Sequence, residues 1–67
     1  MLLELTATNG LPLFINVEDV SAIEEKKYTN IYLKNGIKLV VTETANEVSR
    51  EVNGFLQNKM MEMFENA

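Results

Sequence analysis

The phrase Leu5-Thr6-Ala7-Thr8-Asn9-Gly10-Leu11-Pro12-Leu13 returns as Ile31-Tyr32-Leu33-Lys34-Asn35-Gly36-Ile37-Lys38-Leu39, with apolar residues at matching alternate positions around Asn-Gly. Alternation at period two is the strand signal, and Asn-Gly between two such runs marks a hairpin. The loop length follows from asking where the aliphatic side chains go. A two-residue type I′ turn pairs Lys34 with Ile37 and places Ile31 and Leu33 on the face opposite Ile37, Leu39 and Val41. A three-residue loop, Lys34-Asn35-Gly36, with Gly36 at positive φ as a bulge, pairs Leu33 with Ile37 and Ile31 with Leu39. That register keeps the aliphatics together, apart from Val40. The same choice in the first copy pairs Ala7 with Leu11, Leu5 with Leu13 and Leu3 with Ile15, so Asn9, Gly10, Asn35 and Gly36 are the structural turn residues.

Pro12 adds an edge to this picture. In the bulged register its missing N–H falls between hydrogen-bonded pairs and points away from the first strand, so the second strand is expected to be open on that side. Between the hairpins, Asn16 can start a turn through Asp19, after which Val20, Ala22 and Ile23 lead a short strand into the charged bend Glu24-Glu25-Lys26-Lys27. The expected strands are 2–8, 11–16, 20–25, 28–34 and 37–43.

After them the period changes. Thr44-Ala45-Asn46-Glu47 matches a capping box, with the Thr44 hydroxyl and Glu47 carboxylate serving free N–H groups at a helix start. Val48, Val52, Phe55 or Leu56, Met60, and Met63 or Phe64 recur at helical spacing. This predicts one amphipathic helix over about 45–64, crossing Asn53-Gly54, where glycine costs about 1 kcal/mol relative to alanine and a bend is possible. The expected fold is α+β: a small antiparallel sheet or partly open barrel of about five strands, then one C-terminal helix. The whole chain reads as a single domain, residues 1–67, with a sheet region over 1–43 and a helix over 44–65.

Composition narrows the function. A chain of 67 residues hides only about 60% of the surface its unfolded form exposes, so its stability alone is expected to be marginal. It has no cysteine and no histidine, which removes disulfides, Cys/His zinc sites and the usual imidazole base. Self-association is the remaining route to buried area. A net charge of -4 repels phosphates at long range, which disfavours nucleic acid as a partner. No stretch approaches the roughly 20 apolar residues of a membrane span. The start MLLELTATNG lacks the basic opening of a signal peptide, so a cytoplasmic protein with no membrane partner is expected.

The chemistry-bearing residues are few. Glu18-Asp19 and Glu24-Glu25 could in principle act as acid and base or hold a hard cation, but neighbours on a strand point to opposite faces and no calcium-loop spacing surrounds them. Ser21 and Ser49 have no base. No cofactor is expected and the chain reads as a non-enzyme. Lys26, Lys27 and Tyr28, with Lys34 and Lys38, form the only basic and aromatic patch, and Glu18, Asp19, Glu24, Glu25 and Glu43 lie near it in sequence. Leu56, Met60, Met61, Met63 and Phe64 lie beyond the roughly three helical turns that largely cover a small sheet, so they either finish the intramolecular core or pack against another copy or another protein. Methionine suits adaptable binding surfaces. With the outward-facing Tyr28 and Tyr32, these are the candidate protein-interface residues, and a second copy of the chain or a larger protein assembly is the candidate partner.

The segment Leu5-Thr6, Asn9-Gly10, Ile15-Asn16, Ile23-Glu24, Asn35-Gly36, Val41-Thr42-Glu43-Thr44 and Glu47-Val48 resembles the FlbD-type (SwrD-like) small flagellar proteins and similar short phage-encoded proteins. The likeness covers about residues 2–52 and leaves the Met-rich tail outside it. It implies a β-rich, non-enzymatic protein that acts by self-assembly or by docking on a larger machine, as an accessory or chaperone-like protein of phage or flagellar assembly. A second, weaker likeness joins INVEDVSAIEEKKYTNIYLKNG to the LytTR DNA-binding domain, which is longer and more basic. It implies the alternative of a small transcriptional regulator.

Overall fold

The computed structural model describes residues 1–54. Five strands run β1 (Leu2–Thr6), β2 (Pro12–Asn16), β3 (Val20–Glu25), β4 (Thr29–Leu33) and β5 (Lys38–Val41), with a 3-10 turn over Val17–Asp19 between β2 and β3. A helix, α1, follows over 45–54. The fold is α+β. The strands form two antiparallel sheets, β1-β2 and β3-β4-β5, and a single bridge, Ala7 to Val41, connects them. They do not close into a barrel.

Both hairpins adopt the bulged register. Leu5 pairs with Leu13 and Leu3 with Ile15, while Ile31 pairs with Leu39. Beyond the ladders, Ala7 N–H donates to Leu11 C=O and Leu33 N–H to Ile37 C=O, each at 2.9 Å. Gly10 and Gly36 take φ of +87° and +89°, a region where an L side chain is strained. Each asparagine completes its own loop: Asn9 Oδ1 accepts from Leu11 N–H and Asn35 Oδ1 from Ile37 N–H, both at 3.0 Å. The turn chemistry is therefore written within five residues each time.

β3 spans 20–25 as expected, while β1, β2, β4 and β5 are shorter than expected by one or two residues at one or both ends, since the turn residues leave the ladder early and β5 stops at Val41 before the lead into α1. Asn16 starts its turn as expected, with Oδ1 accepting from Glu18 N–H. That turn buries Val17, at 4% exposure, a core residue that alternation alone did not single out. In β3 the register shifts between Val20 and Ala22. The bulge resets the alternation, so that Val20 and Ile23 pack on the core while Ala22 is exposed.

Leu5, Ile15, Ile31, Val41 and Val48 form the buried centre, with Leu3, Leu13, Val20, Ile23, Leu33, Leu39 and Val52 packed around it. Thus α1 covers the shared aliphatic face through Val48 and Val52, as its spacing predicts. The Thr44 hydroxyl accepts from Glu47 N–H at 3.1 Å, which is the forward half of the capping box. The Glu47 carboxylate does not make the return bond among the described residues. Glu25, from the end of β3, takes a place at the helix start instead and accepts from Ala45 N–H at 2.6 Å. Asn53 and Gly54 are helical. The expected continuation to 64 lies outside the described residues, as do Leu56, Met60, Met61, Met63 and Phe64.

Candidate functional site

The most elaborate polar arrangement sits where the two hairpins meet. Thr6 ends β1 in a non-hydrogen-bonded pair with Pro12, so its N–H and C=O face away from β2. Its N–H donates to Glu43 Oε1 and its hydroxyl to Glu43 Oε2, both at 2.9 Å. Its C=O accepts from Thr42 N–H at 2.9 Å. Thr29, 2% exposed, donates from Oγ1 to the Glu43 C=O. One residue thus ties β1, β4 and the lead into α1 together, and the ladder between the sheets stops after Ala7–Val41 because a side chain has taken the next strand donor.

The charge state of Glu43 follows from those contacts. Burial works to raise its pKa, but donation from the Thr6 N–H, the Thr6 hydroxyl and its own N–H prevails, leaving it below the ordinary value of 4.5. It is a carboxylate at neutral pH, and its role is to hold. Glu24 and Glu25 have partners as well. Glu24 Oε1 accepts from the Tyr32 hydroxyl at 3.2 Å and lies 3.8 Å from Lys26 Nζ, while Glu25 serves the helix start. Glu18 and Asp19 lie in the 3-10 turn. Among the described residues no group of three or more Asp, Glu, His or Cys could hold a metal ion.

The basic residues of the sequence patch, Lys26, Lys27, Lys34 and Lys38, do not gather at one place. Lys26, Lys27 and Tyr28 occupy the bend before β4, with Lys27 Nζ 5.9 Å from the Tyr28 ring centroid. Lys34 lies beyond the other end of β4, roughly 20 Å away along a strand rising about 3.3 Å per residue. Lys38 stands opposite Tyr32 on the outer face. Tyr28 is exposed, whereas Tyr32 is half-buried.

Exposed apolar residues are the more telling surface feature. Met1, Leu2, Leu11, Phe14, Tyr28 and Ile37 are 45% to 71% exposed. Leu11 and Ile37 are counterparts, each following its Asn-Gly at the tip of the aliphatic face, beyond the cover of Val48 and Val52. Leu2 and Phe14 share the outer face of the first hairpin, on diagonal positions of the β1–β2 register. Sequence alternation placed Leu11 and Ile37 on the aliphatic face. It could not say which residues of that face the helix would leave open.

Twin bulged hairpins, clasped by Glu43 and covered on one face by a C-terminal helix, define a small α+β protein with apolar surface to spare. The chain belongs to the FlbD family: the family model of flagellar and swarming motility proteins matches residues 2–60, which takes in the clasp, both turns and part of the segment after Gly54. No curated protein and no solved structure matches it. No helix among the described residues is long and apolar enough to cross a membrane.

Proposed function

We propose that this flagellar-family chain is a non-enzymatic homo-oligomeric interaction module, an accessory or chaperone-like protein of flagellar assembly. The observation that carries this reading is the incomplete cover of the aliphatic face. Val48 and Val52 pack over its centre, but Leu11 and Ile37 remain 62% and 51% exposed. Apolar residues left open at the margin of a core extend the surface a partner can cover. The Leu56, Met60, Met61, Met63 and Phe64 segment and the tyrosines Tyr28 and Tyr32 supply the further contacts.

Sedimentation and light scattering across a concentration series test it. A mass above the monomer that falls when residues 57–67 are deleted, or when Leu11 and Ile37 become lysine, is expected. A strict monomer at high micromolar concentration, unchanged by those alterations, overturns the reading. Salt-dependent duplex DNA binding, lost on changing Lys26 and Lys27 to Glu, would replace it with the regulator alternative.

A further inference from the structure

We infer that the open edge of β2 is a self-complementary seat for the β2 strand of a second copy, paired antiparallel about Phe14; this rests on the homo-oligomeric reading and gives it a surface. The hydrogen-bonded pairs of the first hairpin are Leu5–Leu13 and Leu3–Ile15, continued by the Ala7 N–H to Leu11 C=O bond and the Val17 N–H to Met1 C=O bond. The intervening residues Pro12, Phe14 and Asn16 therefore turn their remaining backbone groups outward. Among the described residues, β1 is the one strand that pairs with β2.

The other free edges are protected. β3 carries a bulge beside Ser21, whose hydroxyl donates to Tyr32 C=O, and ends in Glu24 and Glu25. β5 carries Lys38. Charges and bulges of this kind discourage edge-to-edge pairing. β2, Pro-Leu-Phe-Ile-Asn, has no charged residue and no register shift. Only Pro12 limits it.

Two β2 strands related by a two-fold axis at Phe14 overlap along their whole length. Each Phe14 N–H donates to the partner's Phe14 C=O, and each Asn16 N–H to the partner's Pro12 C=O. Pro12 has no N–H to return, so the ladder ends there in both directions. On the outer face the exposed Phe14 rings meet as a cross-strand aromatic pair. On the core face Leu13 meets the partner's Ile15, continuing the aliphatic surface across the axis. The symmetry is closed, since pairing consumes the one uncharged strand edge among the described residues of each copy.

The full-length chain provides the test. Because it has no cysteine, Phe14→Cys is a single reporter: a hydrogen-bonded antiparallel pair holds its Cα atoms about 5.5 Å apart, within the roughly 4.4–6.8 Å span of a disulfide. Mild oxidation should link Phe14→Cys into a covalent dimer at least tenfold faster than Ser21→Cys on the β3 edge. Phe14→Lys, which sets like charges face to face, should weaken self-association at least tenfold, with far-UV circular dichroism unchanged and Ser21→Lys without effect. A self-associating chain whose mass ignores Phe14→Lys and whose Phe14→Cys links no faster than Ser21→Cys overturns the edge and leaves the oligomer reading standing. A wild-type chain monomeric at high micromolar concentration overturns both.

Discussion

The two hairpins are built on the same loop and meet different fates. Their glycine φ angles differ by 2°, from +87° to +89°, and their closing bonds match. Yet the second hairpin gains a third strand, β3, while the first remains a two-stranded sheet held to its neighbour by one bridge and the Glu43 clasp. Turn chemistry sets the register within a hairpin. What lies beside the hairpin decides how much of it is buried and which edge is left open.

The largest way to break the comparison is at the centre of the better-supported sheet. Ile31 has no exposed surface, and Ile31→Ala should cost about 2–5 kcal/mol in urea unfolding, enough to unfold a chain of marginal stability. Next come the glycines. A Cβ on Gly10 or Gly36 meets nothing within 4 Å, so Gly10→Ala and Gly36→Ala should each cost about 1–2 kcal/mol through the left-handed backbone alone, with asparagine costing less. Near-equal losses would sharpen the view that the loops are equivalent; a much larger loss at one turn would break it.

Thr44→Ala removes the hydroxyl at the helix start and should cost about 1 kcal/mol, read by thermal unfolding. The smallest effect is the pH response of the clasp. Because the folded pKa of Glu43 lies below 4.5, the unfolded chain binds more protons there. The clasp's contribution is present at neutral pH and fades as pH falls through the range below 4.5. Glu43→Gln should flatten that part of the stability profile, and an unchanged acid limb in urea titrations would show that the clasp does not tie the weaker hairpin down.

Much of this was legible in advance from particular residues. Asn-Gly, the aliphatic alternation and Pro12 together predicted the bulged pairing and the open edge of β2, and the Thr44 cap predicted where the helix begins. Val17 was missed because its burial depends on a 3-10 turn that carries no period. The Ser21 bulge was invisible for a related reason: it shows only as the choice between Ala22 and Ile23 for the core face, which β4 makes. The clasp was missed because Glu43 reads as one more surface acid until Thr6 is brought beside it.

The division has a physical basis. Hairpin register and helix start depend on groups within a few residues of one another, so side-chain type alone settles their geometry. The meeting of Thr6 with Glu43 spans 37 positions, and that of Ala45 with Glu25 spans 20. Such contacts form only after loop closure has been offset by burial of the shared aliphatic face. The sequence by itself determined two hairpins, the open edge of β2 and a helix start; the tertiary structure decided that Glu43 would join the hairpins and that Val17, in the turn between them, would be buried.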